Sequence, residues 1–376
     1  MKESHPSGTP TYITELDALR GIAAIAVLCC HLPRGFWFGA TGVDLFFVLS
    51  GFLITGIIQR NLDQPRFLRA FYWRRSLRIL PLYYLVILMA YAVNLIRATP
   101  ADTSGIAYYL VYLQNIHQYW GAETPPVDLG LGHTWTLAIE EQFYLFWPAA
   151  LLLIRGRAKY WLAGVLVVLP IALRVQGLPK TVLFGHTDSL AMGALLAWIM
   201  HRTRSIGRER QAVCYASIAV TCFASYWALY WILCSRNPTL TGGEYLQLSL
   251  PVAIISLAYL GVIGLFVSMT GSRLLSPFRN KVLVGLGTIS YGLYLYHLVL
   301  YENLDTLVKF RWKMGDPWWL DVSKLIVSLV VAALSWRFFE QPILRLKDRF
   351  RYNDDAVVVA DQRAPSLATA GAPVHE

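Results

Sequence analysis

The sequence predicts an all-α protein, a polytopic transmembrane helical bundle of about ten spans with both termini in the cytoplasm. Of its 376 residues, 56% are hydrophobic and only 15% are charged, whereas about 25% charge is usual for a soluble domain. Ten apolar stretches approach the length of about 20 residues that a helix needs to cross a bilayer. Basic residues concentrate in alternate loops between them, which is the distribution that the positive-inside rule describes.

The ten predicted spans occupy most of the chain between residues 16 and 339. Their limits are Leu16–Phe38, Gly42–Ile58, Leu77–Ile96, Thr136–Ile154, Tyr160–Val175, Thr181–Met200, Ala212–Cys234, Leu248–Met269, Val282–Tyr301 and Trp318–Phe339. The fifth and sixth are the least certain to cross fully. The sixth contains His186 and Asp188, so a partly re-entrant helix is an alternative for it.

Loop charge predicts the orientation of the spans. With the N-terminus in the cytoplasm, the strongly basic loops all fall on the cytoplasmic side, and only the loop with Lys309, Arg311 and Lys313 departs from the pattern. Removing one span would move the later basic loops to the wrong side. We therefore expect a cytoplasmic segment over 1–13, a transmembrane domain over 14–350 and a disordered cytoplasmic tail over 351–376.

The net charge of +10 does not indicate a nucleic-acid partner, because the basic residues flank apolar segments and form no soluble basic domain. The cysteines do not indicate a metal or a disulfide framework, because their spacing fits neither. They are Cys29, Cys30, Cys214, Cys222 and Cys234. The lipid bilayer is the partner that the composition predicts.

Two ionisable residues stand inside the first apolar stretch. Arg20 and His31 are eleven positions apart, roughly 1100° around a helix, so they share a face and are separated by roughly 16 Å along the axis. We expect Arg20 near one membrane face and His31 near mid-depth, where a neutral imidazole is a suitable general base. The alternative is a snorkelling arginine and a histidine bonded to a neighbouring helix. The adjacent Cys29 and Cys30 are interpreted as packing residues.

Three arginines, Arg74, Arg75 and Arg78, lie within about one turn at the cytoplasmic mouth of the third span. They can anchor the helix by the positive-inside rule. They can also bind a donor with several phosphates, because the guanidinium fork suits phosphate oxygens. The charge pattern alone leaves both interpretations open.

The remaining candidates are polar residues at the ends of other spans. Glu140 and Glu141 lie in the first two turns of the fourth span. Neighbours on a helix diverge by about 100°, so at most one of the two faces the interior. We favour Glu141. Asp44 is either solvated at the external edge or in contact with a second substrate. His297 either lines a polar groove with nearby tyrosines or is a bonded structural residue.

Taken in order, the polar motifs resemble the integral-membrane acyltransferase 3 family over about Thr14 to Phe350. The segments are LDALRGIAAIAVLCCH, GVDLFFVLSGFLIT, RRSLRILPLYY, HTWTLAIEEQFYLFWP, ISYGLYLYH and RFFEQPILRLKDRF. The family's arginine–ten residues–histidine signature falls on Arg20 and His31, and its Arg-x-x-Arg motif falls on Arg75 and Arg78. Its Glu-Gln-Phe-Tyr segment begins at Glu141.

This resemblance implies a multi-pass O-acyltransferase of the bacterial inner membrane. It would move an acyl group, commonly acetyl, from cytoplasmic acyl-CoA to a hydroxyl of a carbohydrate-containing acceptor, such as a surface polysaccharide, a glycolipid or a macrolide-like metabolite. We expect no metal and no cofactor beyond acyl-CoA as substrate. The alternatives are a transporter or flippase for a polyprenyl-linked sugar and a membrane scaffold, and binding or hydrolysis of acyl-CoA separates the enzyme from both.

The resemblance also implies roles for the candidate residues. His31 would be the general base, Arg20 would position the donor and Glu141 would support the histidine. The phosphates of the donor would be held by Arg74, Arg75 and Arg78. The acceptor would contact Asp44, His133 and His297.

Overall fold

A computed structural model of the chain describes residues 13–96, 103, 105–116, 129–154, 156–308 and 317–349, and these residues form helices and short connections without a strand. Within them, ten helices have 17 or more residues. They are α1 (Thr14–Cys30), α2 (Gly42–Asn61), α3 (Phe67–Leu95), α4 (Trp135–Leu153), α5 (Ala158–Val175), α6 (Leu183–Arg202), α7 (Arg208–Arg236), α8 (Ser249–Ser268), α9 (Lys281–Thr306) and α10 (Trp318–Ser335).

The length and hydropathy of these helices confirm the predicted polytopic all-α bundle. Among the described residues, eight helical segments are long and apolar enough to cross a membrane. The other two are α1, with 17 residues, and α4, which carries Glu140 and Glu141. The number of ten spans and the cytoplasmic termini stay predictions. The predicted tail over 351–376 and all but Ile13 of the N-terminal segment lie outside the described residues.

The first predicted span is wrong at its C-terminal end. Helix α1 stops at Cys30, eight residues before Phe38, and His31 caps it instead of lying within it. Pro33 follows and has no amide hydrogen to continue the helix. At Gly35, a side chain would collide with the main-chain oxygens of Cys29 and Leu32. The chain therefore turns and enters α2 through a short 3₁₀ segment over Trp37–Thr41.

Helix α3 also differs from its prediction, since it begins at Phe67 and not at Leu77. The arginine cluster therefore lies on the helix and not in a loop at its mouth. Helix α6 is continuous over 20 residues, and Asp188 within it forms a buried, bidentate ion pair with Arg174 of α5 at 2.7 and 3.1 Å. The polar residues that raised the re-entrant alternative are thus paired inside the bundle.

Close helix packing brings α2 against α6. Gly51 of α2 faces the main-chain oxygen of Leu190, and Gly193 of α6 faces the main-chain oxygen of Val48. A β-carbon at either glycine would overlap the facing backbone. Small residues let membrane helices approach in this way, and the approach fixes the position of α2, which lines the cavity described below.

Substitution of Gly51 tests this packing. We expect Gly51→Ala to destabilise the protein by about 1 to 3 kcal/mol, because backbone must move to admit the methyl group. The matched control is Gly164→Ala in α5, where nothing lies within 4 Å of the added carbon and alanine favours the helix. Thermal unfolding in detergent measures both, and equal melting temperatures for the two variants would contradict the close approach.

Candidate active site

One cavity opens between α1, α2, α3, α4 and α9. It encloses about 710 Å³ out to its mouth. Polar side chains from all five helices line it: Arg20, Ser50, Arg75, Arg78, Glu140, Ser290 and Tyr294 are among them.

Three guanidinium groups give this cavity a basic wall. Arg75 and Arg78 lie three positions apart on α3 and therefore share a face, and Arg20 of α1 joins them. The Arg75 guanidinium lies 4.5 Å from the centre of the Tyr144 ring, and Arg20 is 3.3 Å from a carboxylate oxygen of Asp17. Arg74 does not line the cavity, so the structure brings together only two of the three clustered arginines.

A carboxylate also lines the cavity, and it belongs to Glu140 rather than to Glu141. The Ser50 hydroxyl of α2 donates a hydrogen bond of 2.6 Å to Glu140 Oε1. Glu141, about 100° further around the helix, does not line the cavity. The cavity therefore takes its carboxylate from Glu140 and not from the favoured Glu141, whose role in support of His31 stays a prediction.

Three histidines from different segments meet beyond the cavity. The ring centres of His31 and His297 are 5.0 Å apart, and those of His133 and His297 are 4.6 Å apart. His31 is exposed, whereas His133 and His297 are buried. Burial, with the nearby charge of His31, lowers the pKa of His133 to about 3, so its imidazole is neutral at physiological pH. Among the described residues, no cluster of three or more His, Cys, Asp or Glu side chains is placed to hold a metal ion.

The contacts of His31 define its tautomer. Its Nδ1 lies 2.9 Å from the main-chain oxygen of Val27, and a carbonyl oxygen can only accept a hydrogen bond. Nδ1 therefore carries the proton and donates a hydrogen bond to this oxygen. Nε2 is left with a free lone pair on an exposed ring, which is the state of a general base. The Cys30 thiol instead donates to the same Val27 oxygen at 3.0 Å.

Tyr294 separates the cavity from the histidines. It lines the cavity, and its ring centre lies 5.1 Å from that of His133 and 5.6 Å from that of His297. Its hydroxyl donates to the main-chain oxygen of His133 at 2.9 Å and lies 2.7 Å from Thr136 Oγ1. His31 is thus beyond Tyr294 and does not itself line the cavity. The same-face pair of Arg20 and His31 spans the distance between the two compartments.

The remaining predicted residue, Asp44, is neither solvated nor in the cavity. It is 4% exposed, and its carboxylate accepts a hydrogen bond of 2.8 Å from His186 Nε2. This pair joins α2 to α6. The solvated alternative for Asp44 is therefore wrong, and contact with an acceptor stays a prediction for Asp44, His133 and His297.

Ser50 is a cavity residue that was not among the candidates from the sequence. The signal was available, since one helical face of α2 carries Val43, Phe46, Phe47 and Ser50 at the spacing i, i+3, i+4 and i+7. All four line the cavity. The spacing marks the face, but only the structure shows that Ser50 meets Glu140 of a helix 90 positions further along the chain.

The sequence is also similar to those of known proteins. A family model described as "Acyltransferase domain" matches residues 13–337. The chain is 30% identical to the peptidoglycan O-acetyltransferase OatA of Listeria monocytogenes, over 88% of this chain and 56% of that protein. It is also 30% identical to the putative peptidoglycan O-acetyltransferase YrhL of Bacillus subtilis, over 90% of this chain and 56% of that protein.

A putative O-acetyltransferase of Staphylococcus aureus is 29% identical over 88% of this chain and 57% of its own length. The chain thus spans little more than half the length of these relatives. No solved structure matches it with significant similarity.

Proposed function

The chain belongs to the acyltransferase 3 family, and from this premise we propose that it is a membrane O-acetyltransferase. It transfers an acetyl group from cytoplasmic acyl-CoA to a hydroxyl of a carbohydrate-containing acceptor. Two relatives are named for O-acetyl transfer to peptidoglycan, which supports both the acetyl group and the glycan class. We place the enzyme in the bacterial inner membrane, where acyl-CoA is available from the cytoplasm.

The arginine wall supports acyl-CoA as the donor. Acyl-CoA carries a diphosphate and a further phosphate on its nucleotide end, and arginine binds such groups through paired, charge-assisted hydrogen bonds. Arg20, Arg75 and Arg78 face one cavity.

The chemistry proposed for His31 requires its free Nε2. The acceptor hydroxyl gives its proton to Nε2 while its oxygen bonds to the carbonyl carbon of the thioester. The carbon–sulfur bond then breaks, the acetyl group stays on the acceptor oxygen, and the CoA thiolate leaves and takes the proton from His31 Nε2. Because Tyr294 lies between the cavity and the histidines, the acetyl end of the donor must pass this side chain to reach the base.

The observation that carries the proposal is the juxtaposition of the two compartments. Tyr294 lines the basic cavity, and its ring also contacts His297, which in turn contacts His31. We therefore assign donor binding to the basic cavity and proton abstraction to the histidine cluster.

Arginine variants test donor binding. We expect Arg75→Gln and Arg78→Gln each to raise the KM for acetyl-CoA about 10- to 100-fold, because a charged hydrogen bond contributes about 1.5 to 3 kcal/mol. The assay follows label from acetyl-CoA to glycan acceptor with purified protein in lipid nanodiscs, together with direct acetyl-CoA binding.

Arg74→Gln is the matched control for these variants, because Arg74 lies on the same helix but does not line the cavity. Its KM should stay close to that of the wild type, because Arg74 does not line the cavity. Failure of the wild type to bind acetyl-CoA would contradict the proposed function. An equal effect of all three substitutions would instead contradict donor binding in this cavity.

A further inference from the structure

We propose that His297 is the positioning residue for His31, accepting a hydrogen bond from Nδ1 and holding Nε2 toward the acceptor. The inference rests on the proposed function for its catalytic consequence. From the sequence, His297 was assigned to acceptor binding and Glu141 to the support of His31. Here His297 takes that supporting role.

The first step is the protonation state of His297. Its Nδ1 lies 2.6 Å from the main-chain oxygen of Tyr294, one turn earlier on α9. Since that oxygen only accepts, Nδ1 carries the proton and Nε2 has a free lone pair. His297 is completely buried, so water does not compete for this lone pair.

The second step is where that lone pair is directed. His297 Nε2 lies 3.3 Å from His31 Nδ1, and Nδ1 is the atom that the Val27 contact assigns as protonated. The two tautomers are therefore complementary, with His31 as the donor and His297 as the acceptor. His31 Nδ1–H is shared between one acceptor on its own helix and one on α9.

The position of His31 at the end of α1 explains why it needs a partner outside its own helix. It follows the last residue of α1 and is exposed, so neighbouring side chains do not enclose its ring. Helix α9 supports this end of α1 a second time, since the Tyr301 hydroxyl lies 3.4 Å from the main-chain oxygen of Leu28. His297 and Tyr301 are four positions apart and share one face of α9.

The chemical consequence appears when His31 takes the proton of the acceptor. The imidazolium that forms donates from Nδ1 to His297 Nε2, and a hydrogen bond from a charged donor is stronger than one from a neutral donor. A second group that fixes the tautomer and orientation of a catalytic histidine is a recurring requirement. Among the described residues, no carboxylate contacts His31, and a neutral imidazole takes this position.

Two substitutions of nearly equal polarity separate this role from simple packing. His297→Gln keeps an amide oxygen near the position of Nε2, whereas His297→Asn keeps a donor near Tyr294 but does not reach His31. We expect the Asn variant to lower kcat about 10- to 100-fold, the cost seen when a functional histidine loses the group that orients it, with the KM for acetyl-CoA unchanged. The Gln variant should retain kcat within about fivefold.

The controls use the same purified protein in nanodiscs. In the background of His31→Gln, the substitution of His297 by Asn should have no further effect, because residues that act as a unit are not additive. Nitrogen-15 NMR of labelled histidine provides a readout that does not depend on activity. It should show His31 protonated at Nδ1 in all three proteins, since the Val27 contact remains, and a shift of the His31 Nδ1 resonance in His297→Asn alone, because one of its two acceptors is lost.

An unchanged kcat or an unchanged Nδ1 resonance of His31 in the Asn variant would overturn the inference. Equal loss of kcat in the Asn and Gln variants would also overturn it, since packing would then explain both. A wild-type protein that transfers no acetyl group would contradict the proposed function, while the NMR comparison would still decide whether His297 positions His31.

Discussion

His31→Ala is expected to lower kcat for acetyl transfer by about 10² to 10⁴-fold, the range that a positioned general base contributes. The reason is the free lone pair on Nε2, which the Val27 contact to Nδ1 leaves available. Binding of acetyl-CoA should be unchanged, because His31 does not line the basic cavity. Single-turnover transfer from labelled acetyl-CoA, measured beside equilibrium binding of the same donor, separates the two effects.

His201→Ala is the matched control for this experiment. His201 is also exposed and also lies at the end of a helix, α6, but it contacts neither the cavity nor the histidine cluster. Its kcat should equal that of the wild type. Turnover by a correctly inserted His31→Ala protein at the wild-type rate would exclude His31 as the base.

Much of the fold follows from hydrophobic length alone. Eight of the ten predicted spans begin within four residues of the observed helices and end within five, because an apolar stretch in a membrane has to satisfy its backbone internally as a helix. The exceptions have local causes. The first span ends early because Pro33 and Gly35 stop α1, and the third begins early because its basic first turns are helical although they are not apolar.

The site was less predictable because it depends on contacts between helices. The sequence grouped Arg74, Arg75 and Arg78 as donor-binding residues, but only Arg75 and Arg78 line the cavity. The choice between Glu140 and Glu141 depended on how α4 rotates against α2, and the sequence does not contain that rotation. The partner of Asp44 was equally inaccessible, since His186 lies 142 positions away along the chain.

The buried ion pair between Arg174 and Asp188 carries the largest expected effect on stability. Both side chains are almost fully buried, at 1% and 0% exposure. Arg174 also donates to the main-chain oxygens of Gly185 and Ser249, so it joins α5, the start of α6 and the start of α8. Removal of one partner from such a pair leaves an uncompensated charge inside the bundle.

Asp188→Ala is therefore expected to destabilise the protein by about 3 to 5 kcal/mol. The matched control is Asp321→Ala, which breaks the pair with Arg34 at 3.0 Å. Because the Arg34 side chain is 55% exposed, that loss should be about 0 to 1 kcal/mol. Reversible unfolding in mixed micelles measures the free energy of unfolding of both variants.

A double substitution separates the cost of the isolated charge from the value of the pair. In Arg174→Met with Asp188→Leu, no buried charge remains, and apolar side chains of similar volume often replace a buried ion pair without loss. The double variant should therefore recover most of the stability that Asp188→Ala loses. If it is as unstable as Asp188→Ala, the hydrogen bonds from Arg174 to Gly185 and Ser249, rather than the ion pair, hold the three helices together.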